Sequence, residues 1–124
     1  MMPHEKLEAW RACLDLYVEV HRVTAGWPKR EWYGLASQLR NAALSAGSNI
    51  AEGVARKGQK ELARFLNIAL GSLAEVSHQL RAANAVGVLA EAEYEQLALS
   101  HQEAGRLTWL LYRSILKLLR TQKE

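Results

Sequence analysis

Apolar residues recur at intervals of three and four along nearly all of this 124-residue chain, and no segment reads as a strand. That period predicts four helices. The first runs from about Glu5 to Thr24, with Leu7, Trp10, Leu14, Tyr17 and His21 on one face, widened by Cys13, Leu16, Val20 and Val23. Gly26-Trp27-Pro28 stops it, and Pro28 suits the first turn of a second helix. That helix carries Leu35, Leu39, Ala42, Ala43, Ala46 and Ile50 and ends near Gly53 to Gly58. The third, from about Gln59 to Asn84, presents Leu62, Phe65, Leu66, Ile68, Ala69, Leu73, Val76, Leu80 and Ala83. The fourth starts near Ala92 and runs to the tail, with Tyr94, Leu97, His101, Ala104, Leu107, Leu111, Ile115 and Leu118 facing inward. Long helices joined by short turns predict an all-α fold, an up-down-up-down antiparallel four-helix bundle, as a single domain over residues 1–124.

Composition agrees. Leu (20) and Ala (19) far outnumber Val, Ile and Thr, which total 13, so helix is favoured over sheet. The longest apolar run, Ala85 to Ala90, is far too short for a membrane span, and the N-terminus lacks the apolar core of a signal peptide. No membrane partner is therefore expected. The one cysteine, Cys13, fits a reducing cytoplasm, and its apolar neighbours suggest a buried, inert thiol.

The net charge of +3 conceals a block pattern. Residues 1–28 carry −1, 29–64 carry +4, 65–105 carry −4 and 106–124 carry +4. The two basic blocks either converge into one patch, meet acidic blocks in an assembly, or form solvated helix faces.

The last helix has more apolar surface than one bundle uses. Leu107, Leu111, Ile115 and Leu118 form one stripe, and Trp109, Tyr112, Leu116 and Leu119 form a second about 120° around the helix. The second stripe is expected to bury against another copy of the chain, or to cover a loop of its own. A third, narrow face holds Arg106, Arg113, Lys117 and Arg120, a stripe about 20 Å long. It suits a phosphate backbone, and equally the negative end of the helix's own dipole.

Several patterns imitate chemistry. Glu75-Val-Ser-His78 has the helical spacing of a di-metal bundle ligand pair, but neither His21 nor His101 has a Glu three residues before it. Gly53 to Lys60 imitates a phosphate loop, with Gln59 where the lysine belongs and a helix where a strand belongs. No nucleophile–base arrangement declares itself, so no enzyme activity, metal or cofactor is expected. The second helix does carry a polar seam beside its apolar face: Gln38, Ser45, Asn49, Glu52 and Arg56, with Asn41 near the edge. Such groups at a core boundary need partners, and Glu52 and Arg56 can pair if the helix continues through Gly53. A structural network is favoured there over a ligand site.

That seam lies in a recognisable pattern. Tyr33-Gly-Leu-Ala-Ser-Gln-Leu-Arg40, Asn41-Ala-Ala-Leu-Ser45 and Ser48-Asn-Ile-Ala-Glu-Gly53 are followed by Arg56, Glu61, Arg64 to Glu75 and Gln79-Leu80, with Leu7, Trp10 and Tyr17 upstream. As a set they resemble the bacterial family encoded in intervening sequences of large-subunit ribosomal RNA genes. More distantly, they are similar to the accessory protein of diversity-generating retroelements. Two positions depart: Asn41 stands where a second basic residue is usual, and Ala46-Gly47 where Ile-Pro is common. The resemblance implies a four-helix bundle assembling as a ring-like homo-oligomer, a pentamer. It implies little about activity, although the retroelement relatives bind RNA and a reverse transcriptase.

The expectation is a non-enzymatic oligomeric adaptor whose repeated basic faces contact RNA or DNA. Arg40, Arg56, Lys57, Lys60 and Arg64, with Arg106, Arg113, Lys117 and Arg120, are the candidate phosphate contacts. Lys60 and Arg64 carry extra weight, because cations near a helix start oppose its dipole. The competing expectation is a scaffold that binds another protein and no nucleic acid.

Overall fold

The computed structural model describes residues 2–123; Met1 and Glu124, the outermost positions of the expected 1–124 domain, lie outside the described residues. Four helices dominate: α1 (Glu8–Ala25), α2 (Ser37–Ala55), α3 (Gln59–Ala85) and α4 (Glu91–Lys123). Each packs on its neighbour in sequence, and α4 closes back on α1. The architecture is the all-α bundle the periodicity predicts.

The core is filled chiefly by Leu16 and Val20 of α1, Leu39, Ala43, Ala46 and Ile50 of α2, Leu66, Ala69, Val76 and Leu80 of α3, and Leu97 and Ala104 of α4. On α1 the true inward face is Ala9, Cys13, Leu16, Val20 and Val23. Leu14 and His21, expected inward, are exposed, while Trp10 and Tyr17 flank the core half-buried. Ile68 is likewise turned out from α3. The alanines of α2 let α1 and α3 approach it closely, as small side chains at a helix contact should.

The connection between α1 and α2 is not the regular helix start suggested by Pro28. Lys29–Glu31 makes a tight 3₁₀ turn, and Trp32–Ala36 a wider π turn, before α2 begins. The buried Trp27 anchors this segment, and the Trp32 indole Nε1 donates to the Trp27 carbonyl at 2.9 Å. The α2–α3 turn is short, with Gly58 at φ +92° before α3. Between α3 and α4, the amides of Val88 and Leu89 both donate to the Ala83 carbonyl (3.0 and 3.1 Å), and the Asn84 amide donates to the Leu89 carbonyl at 3.2 Å. Leu89 plugs that end of the core.

Two cross-helix contacts fix where α4 lies. The Cys13 thiol and the Thr108 hydroxyl are 3.8 Å apart, and His101 Nε2 donates to the Leu73 carbonyl at 2.7 Å. An antiparallel register anchored at the second pair sets Gln59, the first residue of α3, level with Ile115. The last two turns of α4 therefore run past the end of α3. Leu118, expected inward, lies in that overhang, turned away from the side on which Leu116 and Leu119 pack, and is 45% exposed.

Candidate nucleic-acid interface

Register decides what the charge blocks do. The α2–α3 turn and the C-terminal end of α4 stand at the same end of the bundle, so Arg56, Lys57, Lys60 and Arg64 share it with Arg113, Lys117 and Arg120. At the opposite end, which also holds Lys29 and Arg30 of the α1–α2 connection, the start of α4 exposes Glu91, Glu93 and Glu95. The bundle is thus polarised along its length, with one end clearly basic.

The nine candidate cations are not equivalent. Arg40 lies toward the other end and is turned inward: its Nε donates to Thr24 Oγ1 at 2.7 Å and its guanidinium to the His21 carbonyl at 3.2 Å. It thereby ties α2 to the last turn of α1. Arg56 pairs with Glu52 at 3.0 Å, the contact anticipated if α2 continued through Gly53, which it does. Arg64 pairs with Glu61 at 3.0 Å and Arg106 with Glu103 at 2.7 Å. Hydrogen bonding to Arg64 holds the Glu61 carboxyl below its usual range, and Arg106 does the same to Glu103. Each of these three arginines brings its own counter-charge to the surface.

Lys57, Lys60, Arg113, Lys117 and Arg120 are exposed, and among the described residues no carboxylate pairs with them. Arg113 and Lys117, with Ser114 and Leu110, line a shallow surface depression of about 260 Å³. Beside the α2–α3 turn, Arg56 and Arg64 also stack over Phe65, at 5.5 and 4.5 Å from the ring centre. The buried Phe65 ring thus contacts two ion-paired guanidinium groups.

The polar seam of α2 divides in two. Ser45 and Ser72 hydroxyls meet across α2 and α3 at 2.9 Å, and the Asn49 amide donates to the Ser45 carbonyl (2.8 Å) and hydroxyl (3.0 Å). Glu52 and Arg56 are exposed and paired with each other, while Gln38 and Asn41 face solvent. Sequence reasoning found Ser45 and Asn49 but not Ser72, whose 27-residue separation leaves no local signal. Gln79, one helical repeat beyond Ser72 on α3, has a buried Oε1 with no hydrogen-bond partner among the described residues.

Of the second apolar stripe on α4, Tyr112, Leu116 and Leu119 pack half-buried against the bundle's own core. Trp109 is 47% exposed, with its ring 5.9 Å from that of Tyr112. Exposed apolar surface is also found between α1 and α2, which sequence reasoning missed. Trp10, Leu14, Tyr17, Leu44, Gly47 and Ala51 line a groove there of about 240 Å³, and Val18 is exposed on the same helix. Gly47, at one departure from the resembled pattern, lies in this groove within an unbroken α2.

The imitations of chemistry resolve simply. Glu75 and His78 are both exposed on α3, and Gly53 lies inside α2 rather than in a loop. Among the described residues no cluster of three or more His, Cys, Asp or Glu is placed to hold a metal ion. Cys13 is buried, and desolvation raises its thiol to about 11. No described helix is long and apolar enough to cross a membrane.

A family model described as 23S rRNA-intervening sequence protein matches residues 5–109. Among solved structures, the chain is similar to a protein of unknown function from the S23 ribosomal protein family of Bacteroides thetaiotaomicron. The TM-score is 0.75 at 18% identity, covering 84% of this chain and 97% of that one. At that identity the likeness supports the fold alone. No curated protein matches the chain in sequence.

Proposed function

The chain belongs to the 23S rRNA-intervening sequence protein family, and from that premise we propose that it is a non-enzymatic, homo-oligomeric bundle protein that binds RNA or DNA through its basic end. The observation that carries the reading is the meeting, at one end of the fold, of the last four cations of the first basic block, Arg56, Lys57, Lys60 and Arg64, with Arg113, Lys117 and Arg120 of the second. There Lys57, Lys60, Arg113, Lys117 and Arg120 have no carboxylate partner among the described residues. Lys60 lies in the first turn of α3, where the helix dipole disfavours a cation, so helix stability alone does not ask for it. Phosphates released from their counterions would reward such a cluster. In an oligomer each copy repeats the patch, and modest charge per subunit becomes avidity.

Binding of mixed-sequence RNA and duplex DNA, measured at two salt concentrations, tests this. Affinity should fall steeply with salt, and no binding at low salt would end the reading.

A second reading rests on a different observation. The apolar groove between α1 and α2, lined by exposed Leu14 and Leu44, suits contact with protein, either another copy or an unrelated partner such as a reverse transcriptase. Sedimentation at micromolar concentration tests the homo-oligomer directly. A clean monomer removes it.

A further inference from the structure

We propose that the outer face of α4 is a single-strand binding platform: a base stacks on Trp109 while its phosphodiester lies in the depression of Arg113, Ser114 and Lys117. This rests on the nucleic-acid reading above and sharpens it from charge to shape.

Three observations carry it. Trp109 is half-exposed although its stripe-mates Tyr112, Leu116 and Leu119 pack on the bundle, so the bundle alone does not use that indole face. Tyr112 lies against it, tilted by 48°, and supports one side of the ring. Arg113 follows Trp109 by one helical turn and Lys117 by two, so an aromatic face and two cations share one side of the helix at a rise of about 6 Å per step. The depression between the cations has a hydroxyl, Ser114, and an apolar edge, Leu110.

A duplex can use the cations but not the indole, because its bases are already stacked on each other. A single strand can use both. Proteins that hold single strands combine a cationic track with aromatic platforms in this way, and stacking is tolerant of sequence because every base has a π face. Arg106, one turn before Trp109, is already paired with Glu103, so the track runs from Trp109 toward the C-terminus.

The test compares single-stranded RNA, single-stranded DNA and a duplex, matched in phosphate number, on the full chain. Trp109→Ala should weaken single-strand binding by roughly 5- to 100-fold and leave duplex binding within about twofold. Trp109→Phe should keep most single-strand affinity while losing part of the tryptophan quenching that single strands should cause in the parent protein. The RNA and DNA arms show whether the ribose hydroxyl contributes. Equal losses on single strand and duplex, or no loss on either, overturn the platform and leave the basic-end reading standing. A changed sedimentation coefficient in Trp109→Ala also overturns it, by making Trp109 a subunit contact. Absence of binding to every probe at low salt overturns both.

Discussion

Gly53 of α2 and Phe65 of α3 touch so closely that a Cβ on Gly53 would stand 2.7 Å from the Cβ of Phe65. No real pair of such atoms sits there, and the atom in the way is fixed to backbone. Glycine inside a helix normally weakens it, so replacing one by Ala is expected to stabilise. Here the sign reverses. Gly53→Ala should cost about 1 to 3 kcal/mol through overpacking. Gly71→Ala, in the middle of α3 with nothing near its new methyl, should instead gain about 0.5 to 1 kcal/mol. Urea melts of the two variants check the contrast, and a stabilised Gly53→Ala would refute the close approach.

The seam between the same helices makes a second prediction. Ser45 Oγ meets Ser72 and accepts from Asn49, whereas the Ser72 hydroxyl meets Ser45 across the two helices. Ser45→Ala therefore strands the buried Ser72 hydroxyl, while Asn49 keeps the Ser45 carbonyl, and should cost about 1 to 3 kcal/mol. Ser72→Ala removes one bond and should cost about 0.5 to 1.5 kcal/mol. A double-mutant cycle between them should show clear coupling; additive losses would mean that the hydroxyls do not interact.

Arg40 is expected to behave unlike the other cations. It bridges Thr24 and the His21 carbonyl at the end of α1, so Arg40→Ala should lower stability by about 1 to 3 kcal/mol. It should leave the salt dependence of nucleic-acid binding unchanged. A reduced salt slope in a variant of unchanged stability would return Arg40 to the phosphate contacts.

How much of this was legible depends on whether a feature is local. The helices, the Glu52–Arg56 pair and the core of α2 follow from spacing along one helix, and spacing is printed in the sequence. The Glu61–Arg64 and Glu103–Arg106 pairs were equally readable at a separation of three, and they alter the candidate interface by neutralising two arginines. Leu118 and Leu14 were misplaced because an apolar residue on a stripe is buried only where a neighbour lies opposite. The length of α4 beyond α3 is set by His101 on Leu73, a contact 28 residues apart. That same register brings the cations of the α2–α3 turn beside those at the end of α4, which is why the charge runs were visible and their convergence was not.

The buried thiol gives a pH prediction. Burial raises Cys13 from an ordinary 9.0 to about 11, partly offset by its contact with Thr108. Below pH 9 the thiol is protonated in folded and unfolded chains alike, and its contribution is fully present. As pH rises from 9 to about 11 the unfolded chain loses its proton first, and stability falls. Full loss would be about 3 kcal/mol. Other groups titrate in this window, so the readout is the difference between the parent and Cys13→Ala in urea melts at pH 8 and pH 10.5. The gap between the two proteins should narrow as pH rises. A constant gap would place the thiol in contact with solvent.

The ion pairs at the basic end make the last prediction, on counterion release. A cation already neutralised by a neighbouring carboxylate releases little when a phosphate arrives, whereas an unpaired one releases about one ion. Replacing Lys57 and Lys60 by Ala should therefore lower the salt slope by roughly two, and Arg113 and Lys117 by a similar amount. Arg64→Ala should change the slope less, because Arg64 is already paired with Glu61 and releases few counterions when a phosphate arrives. Glu61→Gln should act in the opposite direction, freeing Arg64 and raising both affinity and slope. Filter binding or anisotropy across a salt series measures all four. If Glu61→Gln weakens binding, Arg64 depends on its carboxylate for position rather than being masked by it, and the division between paired and unpaired cations fails.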